Sequence, residues 1–339
     1  MFKQKTIGFF EVAGFRWMVP MVKLAFWEDP KEQSRLLGNL IGLPLLAISL
    51  FLFLWAAGAA QVDTSLGKLP GPSAVLDAGK TLYAEHKEER AKEAAFYERQ
   101  QKRNAKKLER NPDANIKWRN YTGNATFIDQ IFTSLKTVFT GFVVASLIAV
   151  PIGIACGLSR GLNTALSPII QILKPVSPLA WLPIVTMVVS AVYISDDPLL
   201  AKSFVNSAIT VTLCCMWPTL INTAVGVGNI DEDLINVGRV IRLGWFTRVR
   251  KIAIPAALPM IFTGLRISLG IGWMVLIAAE MLAQNPGLGK FVWDEFQNGS
   301  SQSLARIMFA VVTIGFIGFV LDWLMLTLQK MISHEDVKS

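Results

Sequence analysis

The sequence predicts an all-α integral membrane protein with six transmembrane helices. Three observations carry that prediction. Of 339 residues, 52% are hydrophobic and only 17% are charged, too little polar surface for a soluble domain. Apolar runs recur along the chain, each long enough to cross roughly 30 Å of hydrocarbon as a helix. The basic residues behind the net charge of +8 cluster in connections beside those runs, which reads as membrane orientation and not as nucleic-acid binding. Cys156, Cys214 and Cys215 lie inside apolar runs without ligand or disulfide spacing, and His86 and His334 sit in polar segments. No metal or catalytic site has a foundation here.

Residues 1–36 mix Phe9, Phe10, Val12, Phe15, Trp17 and Val19 with Lys3, Lys5, Arg16 and Lys23, the composition of a cytoplasmic amphipathic helix lying at the interface. The first span follows at 37–60. Ala57-Gly58-Ala59-Ala60 imitates a signal-peptidase site, but an apolar run of about 20 residues behind a leader of about 36 is too long for a signal peptide. Residues 61–128 form a loop of another kind. Within 79–119 stand twelve Lys/Arg and seven Asp/Glu, with Glu88/Lys92 and Glu98/Lys102 at i,i+4 spacing and no Gly or Pro from Lys80 to Asn111. A solvated periplasmic helix is expected there.

The core is expected at 129–332, with spans at Ile131–Leu158, Pro175–Ile194, Phe204–Val227, Leu258–Leu282 and Ile307–Met331. Arg160 follows the second span, and Arg239, Arg242, Arg248, Arg250 and Lys251 follow the fourth. Lys330 and Lys338 close the sixth, whereas Asp196-Asp197 and Asp294-Glu295 mark the opposite side. The positive-inside bias therefore places both termini, including the tail 333–339, in the cytoplasm of a multi-pass bacterial inner-membrane protein. The five cations sit in a cytoplasmic loop, 228–258, that runs from a glycine-punctuated helix into Pro255 and Pro259, a surface on which a partner docks.

The residues of this loop and of the spans carry a resemblance. Ile252-Ala253-Ile254-Pro255-Ala256-Ala257-Leu258-Pro259 resembles the exit of the coupling loop in permeases of type I, binding-protein-dependent ABC importers. With the family pattern registered on Pro255, its Glu falls on Asn236, its Ala pair on Val237 and Gly238, and its Gly on Arg242. Ser134-Leu135-Lys136, Pro151-Ile152-Gly153, Leu173-Lys174-Pro175, Pro178-Leu179-Ala180-Trp181-Leu182-Pro183, Phe262-Thr263-Gly264-Leu265-Arg266-Ile267, Ala278-Ala279-Glu280-Met281 and Pro286-Gly287-Leu288-Gly289 are similar to the nitrate/sulfonate/taurine branch. Trp293-Asp294 and the Asn-Val-x-Arg-Val form of the loop are similar to its nitrate permease subunits. The resemblance covers about residues 125–332, the first span and Leu69-Pro70-Gly71-Pro72, but not the charged insertion.

It implies a MetI-like fold and a non-catalytic membrane subunit importing nitrate or nitrite by alternating access. The implied partners are one or two ABC ATPase subunits that use ATP and Mg, a periplasmic or lipid-anchored anion-binding protein, and a second copy of the permease. The chain itself is expected to bind no cofactor, and Gly289-Lys290 lacks the spacing of a phosphate loop. Asn236, Gly238, Arg239, Arg242, Gly244, Arg248 and Pro255 are the expected ATPase-coupling residues. Bicarbonate, cyanate and taurine or other sulfonates are alternative cargoes. A secondary anion transporter would need an intramembrane acid relay or an inverted repeat, and a membrane enzyme a nucleophile or paired carboxylates. Neither pattern is visible.

Four residues are candidates for the substrate pathway. Lys174 precedes a proline-broken stretch, where freed backbone lines cavities. The simpler reading is a lysine snorkelling to the inner interface, since Pro175–Ile194 is long enough to span by itself. Arg266 either faces the pathway or pairs with a carboxylate such as Asp322. Glu280 is a gate residue or an interfacial acid satisfied by its neighbours, and Trp181 contacts substrate or packs.

Overall fold

The computed structural model describes residues 17–64, 67–111, 116–194, 200–231, 233–234, 236, 240, 242–300 and 302–332. Met18–Ala25 (α1) precedes Pro30–Leu37 (α2), which runs through a π-helical turn at Gly38–Gly42 into Leu43–Ala59 (α3). Pro30–Ala59 is one continuous 30-residue helix, and none of its apolar window is buried within the chain. Its large apolar side chains suit contact with lipid, which accepts them without a protein partner.

The core consists of Phe127–Leu158 (α5), Arg160–Leu173 (α6), Pro178–Val192 (α7), Lys202–Gly228 (α8), Ile254–Ala283 (α10), Leu288–Asn298 (α11) and Ser303–Ile332 (α12). A long helix at Pro72–Arg110 (α4) and a single turn at Trp245–Arg248 (α9) complete it. α8 is the axis of the bundle, packed between α5 and α10. Close approach to α5 is possible because Gly153 faces the Leu220 carbonyl and the Thr223 side chain, where a Cβ would collide, the small-residue solution to helix packing in lipid. Hydroxyls add cross-links: Thr212 Oγ1 donates to the Gly141 carbonyl at 3.1 Å, and Thr219 and Ser268 pair at 2.7 Å while Ser268 also donates to the Cys215 carbonyl.

Among the described residues, five helices are long and apolar enough to cross a membrane, and the third expected span differs from them. It is a bent pair, α6 and α7, whose axes differ by 99°. α7 has 15 residues, about 22 Å at the helical rise, and is short of the hydrocarbon thickness. The physical cause is Pro175 and Pro178. Ser177, ahead of Pro178, is extended with ψ 143, the conformation that a following proline imposes.

The fifth span also differs. No turn separates the basic segment from Pro255: Trp245–Ala283 is one 39-residue helix, with a π-helical stretch at Val249–Ala253. A wider turn just before Pro255 absorbs the hydrogen bond that proline cannot donate.

α4 is docked over its first half. Val75 and Leu82 are buried, Glu85 pairs with Arg306 at 2.6 Å, and Arg90 pairs with Asp129 at 3.1 Å. Its second half is braced by the returning chain, where the Gln100 side chain exchanges hydrogen bonds with the Arg119 backbone at 3.2 and 3.3 Å. Hydrogen bonding from Lys92 holds the exposed Glu88 carboxyl below the usual range.

Candidate functional site

The proline break builds the site. α6 doubles back along α5, and its Ile170 clusters with Ala149 of α5 and with Trp217 and Leu220 of α8. Trp217 lies about 16 Å from the α8 terminus at Gly228, at 1.5 Å per residue. The elbow between α6 and α7 therefore stands deep within the span and not at its end. Lys174 is the last residue before the break, and it lines a cavity of about 460 Å³ with Ser177, Trp217, Asn222, Ile271 and Met274. Ser177 caps α7 by accepting a hydrogen bond from Leu179 N–H at 3.3 Å. The elbow thus combines an ammonium group with the positive end of a half-helix, an arrangement suited to an anion.

α10 separates this cavity from a second one, of about 660 Å³, lined by Thr263, Arg266, Asp322 and Gln329. Ile267, Ile271 and Met274 line both. Arg266 reaches across to α12 and binds Asp322 through both carboxylate oxygens, Nε–Oδ1 at 2.6 Å and Nη2–Oδ2 at 2.7 Å. The pairing expected from sequence is present, and the pair also borders open space.

The other two pathway candidates stand elsewhere. Glu280 is fully buried. Its Oε2 accepts from Ser134 Oγ at 2.9 Å and from Gly289 N–H at 3.0 Å, while Leu288 N–H donates to Ser134 Oγ at 2.9 Å. The carboxylate clamps the Pro286–Gly289 turn onto α5 and borders neither cavity. Trp181 is half-buried on α7 and lines neither cavity, and its indole nitrogen has no hydrogen-bond partner among the described residues. Asn222 and Ser177 were not singled out by sequence reasoning. An amide in an apolar span was the available signal for Asn222, one it shares with Asn206 of the same helix, and only the fold shows which side each faces.

At the opposite end of the α10 helix lies the basic segment. Asn236 is exposed and helical, while Gly238 and Arg239 lie outside the described residues. Gly244 is extended ahead of α9, Arg248 ends α9, and Pro255 opens α10. Val240, Trp245 and Phe246 are 81%, 65% and 69% exposed, large apolar groups between cations, as on a docking surface. Arg242 has φ +51, a left-handed conformation costly for a side-chain-bearing residue. This is the position on which the family glycine registers. Replacing Arg242 with glycine is expected to stabilise the segment by about 1 kcal/mol, read as slower hydrogen exchange across residues 242–253. Faster exchange would show that the arginine side chain contributes more than its backbone costs.

Comparison with known proteins extends this description. The protein family described as "Binding-protein-dependent transport system inner membrane component" matches residues 149–334. The bicarbonate transport system permease protein CmpB of Synechococcus elongatus is 35% identical over 294 residues, 86% of this chain and 88% of that protein. The nitrate import permease protein NrtB of Leptolyngbya laminosa is 39% identical over 193 residues, 57% of this chain and 64% of its own. Among solved structures, an inward-facing form of the MetNI methionine ABC transporter superposes with TM-score 0.51 at 15% identity. That likeness covers 61% of this chain and 95% of the matched chain, and it speaks to the fold alone.

Proposed function

This chain belongs to the family of binding-protein-dependent transport system inner membrane components, the permease subunits of ABC importers, and from that premise we propose that it imports a small oxyanion, nitrate first among them. The observation that carries the proposal is the elbow, which holds Lys174 inside the span, beside a cavity and at the start of a half-helix. A positive group at that depth is costly in hydrocarbon and is retained where it serves an aqueous path.

In this reading the path is walled by α7, α8 and α10, and a second copy of the chain supplies the facing wall. Residues 228–258 dock on a separate ATPase, with Trp245 and Phe246 as apolar anchors. Closure of the ATPase pair is transmitted along the unbroken Trp245–Ala283 helix to the wall that carries Arg266. The α4 end is periplasmic, where a binding protein delivers the anion, and both termini are cytoplasmic. Bicarbonate is the second reading, favoured by one observation: the match to the bicarbonate relative extends over 294 residues, whereas the match to the nitrate relative extends over 193.

The test is ATP hydrolysis by the complete importer in liposomes, with binding protein loaded with nitrate, with bicarbonate, or empty. Stimulation by nitrate-loaded protein supports the proposal, and stimulation by bicarbonate alone replaces the cargo. Failure of any ATPase to copurify with the chain would sink the coupling scheme.

A further inference from the structure

Arg266 and Asp322 present a problem of placement. Their bidentate pair is closed at 2.6 and 2.7 Å, yet the two side chains remain 36% and 47% exposed. Arg266 is about 18 Å along α10 from Ile254, and Asp322 is about 15 Å from the α12 end at Ile332, both near mid-span at the helical rise. Hydrocarbon does not accommodate an open ion pair at that depth. The face onto which it opens is therefore aqueous or covered by protein. It opens onto the 660 Å³ cavity, which shares Ile267, Ile271 and Met274 with the cavity at Lys174.

The same stretch of α10 thus faces two cations in different states. Lys174 has no ion pair among the described residues, whereas the Arg266 charge is cancelled by Asp322. Gln329, on the next turns of α12, is occupied by the Pro259 carbonyl and Thr263 Oγ1 at 3.3 Å each, so nothing else described competes with Asp322 for the guanidinium.

We propose that Asp322 is a charge-selecting residue of the anion pathway: by masking Arg266 it leaves Lys174 as the uncancelled cation of the elbow cavity, with Lys330 of the second cavity standing two residues from the α12 end at Ile332, and so matches the passage to singly charged oxyanions. The inference deepens the function proposed above and rests on it. Its basis is elementary. Coulomb attraction scales with the product of charges, so one added positive charge stabilises a dianion twice as much as a monoanion at equal distance and dielectric. Removing the charge of Asp322 while keeping its shape therefore shifts preference towards dianions, and removing both charges does not.

The experiment is direct anion binding to the purified permease–ATPase complex in neutral-lipid nanodiscs, without binding protein, titrating nitrate and sulfate separately. Asp322→Asn is expected to raise sulfate affinity relative to nitrate by about tenfold. Arg266→Gln, which leaves Asp322 uncancelled, is expected to weaken both anions. The double variant Arg266→Gln/Asp322→Asn is expected to return the sulfate-to-nitrate ratio to within about threefold of the parent.

This order separates charge selection from a purely structural pair, for which both single variants suffer alike and the ratio stays put. An unchanged ratio in an assembled Asp322→Asn complex overturns the inference. So does loss of the chain-to-chain assembly in the single and double variants together, because the pair is then a subunit lock. Should the parent complex bind neither anion and show no transport with loaded binding protein, the proposed function fails. A transporting parent with the wrong order of variants defeats this inference alone.

Discussion

Replacing Lys174 with glutamine is expected to reduce oxyanion uptake by the reconstituted importer by tenfold or more, about the effect of losing one charge interaction of 1.4 kcal/mol. The chain is expected still to insert and to hold its ATPase. The argument rests on location. A lysine that snorkels to an interface contributes its stem to packing and its charge to water, and its loss leaves transport intact. Lys174 instead follows α6 to a point level with Trp217 of α8 and lines a cavity with Ser177 and Asn222. A route for an anion past that wall has the ammonium as its available countercharge, so the deficit should appear as a raised KM. Lys174→Arg, which keeps the charge, should recover part of it. Full uptake by Lys174→Gln would make the elbow architectural and send the anion elsewhere.

Gly289→Ala is expected to be among the most damaging single substitutions in the chain. A Cβ at that position runs into the Ile277 carbonyl and the Glu280 side chain. The obstacle is backbone on one side and a fully buried carboxylate on the other, so neither yields as a flexible side chain would. The Gly289 N–H is also one of the two donors to Glu280 Oε2, and displacing it leaves a buried polar oxygen short of a hydrogen bond. A loss of about 3 kcal/mol follows from overpacking together with the broken bond. Thermal unfolding of the complex in nanodiscs measures it, and an unshifted midpoint would mean that the turn is not clamped as described. Ser134→Ala should be milder, because it removes the donor to Glu280 and the acceptor for Leu288 N–H without forcing atoms together.

Much of this was legible in the residues. Hydropathy located the spans, since it measures what each window gains by leaving water and depends little on the neighbours. The Arg266–Asp322 pairing was foreseeable because a charge in an apolar helix needs a partner and few carboxylates lie in other spans. Local chemistry announced the proline break at 175–178, and the family register marked the position that turned out left-handed at Arg242.

The sequence by itself determined that the chain carries repeated membrane-spanning runs, where those other than the third lie, and that it carries the permease pattern. Direction and depth were decided only by tertiary structure. A proline ends a helix without saying where the chain goes next, and a 99° bend in place of a straight span is what sets Lys174 beside a cavity. Glu280 could not be told from a gate residue by its own segment, because the atoms that hold it come from Ser134 on α5 and from a turn nine residues on. The charged α4 looked solvated for the same reason. Its i,i+4 pairs are local, whereas the burial of Leu82 and the partnership of Glu85 with Arg306 join residues far apart in sequence, and such contacts exist only once the chain has folded back upon itself.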